Sequence, residues 1–172
     1  MRRVKRLSRL AVLAFGMGLI PVPVDAGSPG GGPAAPDFEL EDLQGKMVRL
    51  SKLRGGTVVL HFWATWCPHC LSEMPLLQEV DRNMGSNGTR ILAINLGETY
   101  RKVERYAKEH DLRLTILLDS RGKAAQAFGV VGLPTTLLLD PQGRVIGQID
   151  MGSLSRTELG KLLPQGSGPQ EP

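Results

Sequence analysis

Two kinds of apolar run alternate along the chain. Unbroken runs at Thr57 to Trp63 (Thr-Val-Val-Leu-His-Phe-Trp), Ile91 to Leu96 and Leu114 to Leu118 predict strands covered on both faces. Between them, apolar residues three and four apart predict helices. Leu71, Met74, Leu77, Val80 and Met84 mark one over 68–84, and Val103, Tyr106, Ala107 and His110 mark another over 100–110. A short helix is expected from Arg121 to Phe128, closed by Gly129. Thr135 to Leu139 and Arg144 to Ile149 flank Asp140-Pro141-Gln142-Gly143, the pattern of an antiparallel hairpin. Ser155-Arg156-Thr157-Glu158 has the form of a capping box and opens a last helix through Leu163. Ahead of all these, Asp37 to Leu40 and Met47 to Leu50 flank Asp42-Leu43-Gln44-Gly45 as a short hairpin. The order describes an α/β fold, a mixed sheet with helices on both faces and an N-terminal hairpin extension.

The ends of the chain read differently. Five basic residues up to Arg9, an apolar run from Leu10 to Ile20, and Val24-Asp25-Ala26 predict an export signal over 1–26, cut after Ala26. An uncleaved anchor is the alternative, but eleven apolar residues at about 1.5 Å each fall short of a hydrocarbon core of roughly 30 Å. Residues 27–36, rich in Gly and Pro, read as a flexible tether, 37–163 as a single domain, and 164–172 as a disordered polar tail. The signal also accounts for the charge. Of 21 Lys+Arg and 17 Asp+Glu, it holds five and one, so the remainder carries 16 of each. No basic surface is left to attract nucleic acid, and a monomer that is either soluble or anchored at its N-terminus is expected outside the cytoplasm.

The chain has two cysteines, both in Trp66-Cys67-Pro68-His69-Cys70. A disulfide that closes so short a loop gains little stability, so chemistry is the stronger reading. Cys67 leaves a buried strand and begins a helix, where unpaired N–H groups and the positive end of the helix dipole favour thiolate. Sulfurs so placed titrate at about 3.5–7.5 instead of ~8.5. Cys67 is therefore the expected nucleophile, and Cys70, one turn further in, the thiol that resolves the mixed disulfide. Pro68 suits the first helical turn, and a cationic His69 between the cysteines would deepen the preference for thiolate. Zinc would need two more ligands, and His61 and His110 lie at no ligand spacing, so neither a metal nor a cofactor is expected. Two thiolates holding Cu(I) is the remaining metal reading.

These residues carry a resemblance to the thioredoxin superfamily, and within it to the exported TlpA/ResA-like group that includes cytochrome c maturation thioredoxins. It rests on His61-Phe-Trp-Ala-Thr-Trp-Cys-Pro-His-Cys-Leu-Ser-Glu-Met-Pro75, on Phe128-Gly-Val-Val-Gly-Leu-Pro-Thr-Thr136, and on the hairpin Leu139-Asp-Pro-Gln-Gly-Arg144, spanning about 36–163. The resemblance implies that Pro134 is a cis-proline facing the cysteines and obstructing metal ligation. It also implies that the Leu133 backbone pairs with an incoming peptide, and that the stretch from Ile94 to Pro134 contains a strand–helix insertion. Glu73 matches an acid that tunes the cysteines, placed two turns after Cys67 and on the same side of the helix. His61 occupies the position of a buried acid in thioredoxins, which leaves it as a proton relay or a satisfied core histidine. Trp66 is expected to cover the cysteines and Trp63 to lie in the core.

Direction of electron flow stays open on these grounds. Cys-Pro-His-Cys belongs to oxidising relatives, whereas the framework resembles exported reductants that act on apocytochrome c or other periplasmic cysteines and are recharged by a membrane electron donor. The alternatives are an oxidant that donates disulfides to secreted proteins and a chaperone for Cu(I) or haem. A peroxidase is set aside, because Thr65 lies two residues before Cys67, whereas that chemistry needs Thr-x-x-Cys.

Overall fold

The structure is a computed structural model that describes residues 32–84, 88–150 and 154–163. The signal segment, residues 27–31 of the tether and the tail 164–172 lie outside the described residues. The strands are β1 (Glu39–Asp42), β2 (Met47–Arg49), β3 (Val58–Trp63), β4 (Arg90–Leu96), β5 (Thr115–Asp119), β6 (Thr135–Leu139) and β7 (Val145–Asp150). The helices are α1 (Pro68–Met84), α2 (Tyr100–Glu109), α3 (Lys123–Ala127) and α4 (Arg156–Leu162), and a 3-10 turn spans Leu50–Leu53. They form one sheet in the order β2-β1-β5-β4-β3-β6-β7. β3, β4 and β5 run parallel, and every other pairing is antiparallel.

β3 is buried at all six positions, as its unbroken apolar run requires. Val59 and Trp63 face a core layer shared with Met74, Leu77 and Val80 of α1, Val103 of α2 and Leu159 of α4. Strand alternation puts His61 on that face too. Val58, Leu60 and Phe62 face the opposite layer, with Ala124 and Ala125 of α3 and with Phe38 and Phe128 packed against it. Trp63 is fully buried against Tyr106, as expected of a core residue.

Two details differ from the sequence pattern. The buried stripe of α1 is Cys70, Glu73, Met74, Leu77, Val80 and Met84, so it begins at Cys70, and Leu71 only flanks it. Six residues at about 100° each also turn Glu73 away from the direction of Cys67; it shares its face with Cys70, three residues before it. On α2, His110 does not extend the buried stripe: it is exposed and stacked on Tyr106 at 3.9 Å. The residues 32–36 assigned to the tether pair with the start of β7. Ala34 bridges Arg144, and Val145 N–H donates to the Pro33 carbonyl at 2.9 Å. At Gly32 a Cβ would fall 1.8 Å from the Val145 carbonyl oxygen, an approach that only glycine permits. The Ser155 hydroxyl accepts from Glu158 N–H at 3.1 Å, giving the cap that the sequence announces for α4.

Candidate active site

Where β3 ends, residues 64–67 turn into α1. Cys67 N–H donates to the Ala64 carbonyl at 3.1 Å, and Pro68 takes the first helical position, where a missing N–H costs nothing. Cys67 and Cys70 are joined as a disulfide with their Cα atoms 5.3 Å apart. The backbone N–H of Cys70 points at the Cys67 sulfur, 3.2 Å away, so one of the orphan donors of the helix start is aimed at this atom. Cys67 keeps 4% of its surface exposed and Cys70 none. Around them Trp66 is 64% exposed, and Pro68 and His69 are also exposed. Trp66, expected to cover the cysteines, adjoins Cys67 with most of its surface open to solvent.

The Leu133–Pro134 peptide bond is cis. β6 pairs with β3 through Phe62↔Thr135 and His61↔Thr136, which brings Pro134 to the end of β3 from which the cysteine segment departs. Pro134 is buried, Leu133 half-buried, and Val131, two residues earlier, fully exposed.

Beneath α1 the structure brings His61 and Glu73 together. His61 is wholly buried; its Nδ1 lies 2.9 Å from Thr136 Oγ1 and 3.8 Å from Glu73 Oε2. Among the described residues its Nε2 has no hydrogen-bond partner, and neither does Glu73 Oε2, so this is not a fully satisfied core histidine. Burial lowers the pKa of His61 to about 3. Glu73 is 5% exposed, so it is a buried carboxyl and not a solvated one. Burial pushes its carboxyl up, opposed in part by the N–H of Leu154, 3.2 Å from Oε1, and by His69. Both shifts disfavour the charged form of the group concerned, so burial works against an ion pair here.

The raised carboxyl has a consequence for stability. Folding disfavours the ionised form of Glu73, so stability is lost as pH rises from the ordinary carboxylate value through the raised one. Glu73→Gln keeps an acceptor for Leu154 and removes the ionisation. Urea unfolding should find this variant more stable than the native protein at pH 8, with the difference shrinking as pH falls to about 4, where both side chains are neutral. A constant difference across that range would rule the ionisation out.

A second buried acid escaped the sequence reading. Glu98, in the connection from β4 to α2, is 7% exposed. It accepts from Thr65 N–H (2.7 Å), Thr65 Oγ1 (2.7 Å), Asn95 Nδ2 (2.8 Å) and Lys102 Nζ (2.6 Å). Burial alone would raise its pKa, but the donors from Asn95, Lys102 and Thr65 outweigh that and hold it at about 2. The one signal available was its place just past the C-terminal end of a parallel strand, where functional groups of α/β sheets gather. The Thr65 hydroxyl is thereby committed to Glu98.

Comparison with known proteins fits this geometry. Residues 32–148 match the AhpC/TSA family. The chain belongs to the AhpC/TSA family. Among relatives of this thioredoxin-like group, the thiol-disulfide oxidoreductase ResA of Geobacillus thermodenitrificans is 40% identical over 132 residues, covering 77% of this chain and 75% of that protein. ResA of Bacillus subtilis is 38% identical over 115 residues, 67% of this chain and 64% of its own. Among solved structures, a thiol:disulfide interchange protein of the thioredoxin family from Chlorobium tepidum superposes with a TM-score of 0.70 at 26% identity. It covers 82% of this chain and all of its own. The α/β thioredoxin fold and the assignment as a thiol–disulfide oxidoreductase follow. Thiols or disulfides of proteins are its substrates.

Proposed function

We propose that the protein works outside the cytoplasm as a reductant of protein disulfides, with Cys67 as the attacking thiolate and Cys70 as the resolving thiol. The observation that carries this is the Cys70 N–H aimed at the Cys67 sulfur at the start of α1, with Cys67 the only member of the pair retaining access. The Cys67 thiolate attacks one sulfur of a substrate disulfide, and the other leaves as a thiolate that takes a proton. Cys70 loses its proton and attacks the Cys67 sulfur, releasing the second substrate thiol and forming the Cys67–Cys70 disulfide. Two electrons pass to the substrate, and a dithiol donor in the membrane restores them.

Pro68 sets the first turn, and His69, when protonated, favours the thiolate. Glu73 lies on the α1 face that carries Cys70, with His61 of β3 beside it, and this buried pair takes up the proton that Cys70 gives up. Trp66, the Leu133 backbone and Pro134 form the surface against which an extended substrate segment lies. Export by the segment 1–26, and apocytochrome c or other periplasmic cysteines as substrates, complete the reading. Among the described residues no helix is long and apolar enough to cross a membrane.

Cys-Pro-His-Cys also predicts an exchange potential more oxidising than that of thioredoxin, at about −270 mV, and a Cys67 pKa below ~6. Equilibration with glutathione, together with thiolate absorbance against pH, measures both; a potential at or below thioredoxin's overturns that expectation. A deletion strain should lose c-type cytochromes. Intact cytochromes together with unoxidised secreted proteins would make the protein an oxidant instead. Stoichiometric Cu(I) or haem retention without disulfide exchange would make it a chaperone.

A further inference from the structure

The segment that delivers Cys67 is held from outside the two elements it joins. Thr65 donates twice to one carboxylate, its N–H to Glu98 Oε2 and its hydroxyl to Glu98 Oε1, both at 2.7 Å. Two bonds to two oxygens fix the orientation of residue 65 as well as its distance. The carboxylate is clamped in turn by Asn95 of β4 and Lys102 of α2, elements that carry no sulfur. Beyond Thr65 come the exposed Trp66 and then Cys67, two residues and at most about 7 Å along the chain.

We propose that Glu98 is a positioning residue of the exchange site, fixing through Thr65 the segment that presents Trp66 and Cys67 to a substrate disulfide. This rests on Cys67 being the attacking sulfur. Three further observations support it. Trp66, the residue after Thr65, is 64% exposed, so the clamped segment carries an indole open to an incoming partner. The ionised carboxylate offers one oxygen to each Thr65 donor, and the hydrogen bonds from Asn95, Lys102 and Thr65 hold its pKa at about 2. Attack on a disulfide needs the entering sulfur in line with the bond that breaks, and displacement by about 1 Å costs such a reaction on the order of a hundredfold. The clamp therefore governs how fast a thiolate reacts; the fraction of Cys67 present as thiolate is set by the helix start.

The experiment uses the full-length reduced protein and a peptide carrying one intramolecular disulfide. Rates are taken at a pH above the titration of Cys67, which is followed by thiolate absorbance, so that thiolate fraction does not enter. Native protein, Glu98→Gln, Thr65→Val, Thr65→Ser and the Glu98→Gln/Thr65→Val double variant are compared. The expected result is a loss of about tenfold or more for Glu98→Gln and a similar loss for Thr65→Val. The double variant should be no slower than the worse single, and Thr65→Ser, which keeps both donors, should stay within about twofold of native. Losses that multiply in the double variant, a serine as slow as the valine, or native rates in Glu98→Gln would each overturn the proposal. Should Glu98→Gln fail to fold, the valine and serine variants decide alone: slow valine with fast serine supports the clamp, and equal rates sink it. An inactive native protein would instead overturn the underlying assignment of Cys67.

Discussion

Cys67→Ala abolishes disulfide exchange, lowering the rate of insulin disulfide reduction by about a thousandfold or more, because no second sulfur can begin the reaction. Cys70→Ala has a different signature. Its Cys67 still attacks once, but nothing follows to break the mixed disulfide, so partners accumulate as covalent adducts that survive denaturing electrophoresis and vanish on reduction. The asymmetry follows from burial, since Cys70 has no exposed surface and Cys67 retains 4%. Adducts captured on Cys70 in a Cys67→Ala protein, or full turnover in Cys70→Ala, would reverse or remove the assigned roles. Mass spectrometry of the trapped species identifies the substrates in the same experiment.

The second large effect concerns acid stability. His61 titrates at about 3 in the folded protein against an ordinary 6.5, so between these values the unfolded chain binds a proton that the folded one refuses. Its contribution is fully present above pH 6.5 and is lost as pH falls toward 3, at about 1.4 kcal/mol per pH unit. By pH 4 the loss is on the order of 3 kcal/mol, a sizeable share of a domain's stability. Glu73 slopes the opposite way above the ordinary carboxylate value, so the native profile is the sum of both. His61→Asn separates them, since its amide can still meet Thr136 but does not titrate. Between pH 7 and 4, denaturant titrations should show the native protein losing about 3 kcal/mol more than this variant. Equal losses would mean that His61 is protonated in the fold.

Strands and helices were legible because burial on both faces writes an unbroken apolar run, as in β3, and burial on one face writes a three-and-four spacing, as in α1. The cysteines were legible because their spacing and position at a strand-to-helix junction determine their chemistry. Glu73 was only partly so: it stands in the buried stripe between Cys70 and Met74, but a glutamate there reads equally well as a solvated side chain. His61 was recognised as buried, yet its nearness to Glu73 depends on how α1 lies across the sheet. Glu98 was invisible for a stronger reason. Between Gly97 and Thr99 it reads as a loop acid; Asn95 and Lys102 are local partners, but Thr65 lies 33 residues away and is brought to it by the parallel pairing of β3 with β4.

The N-terminal hairpin gives the sheet a property distinct from its chemistry. By pairing with β5, β1 blocks the open margin that three parallel strands would otherwise present, and leaves outermost only the three residues of β2, next to Lys46 and Lys52. At the far margin, Ala34 bridges Arg144, the residue just before β7. Unpaired strand rims recruit strands from other molecules, and short, charged or occupied rims resist this. At the β2 margin this leaves little for the protein substrates of the enzyme to pair with.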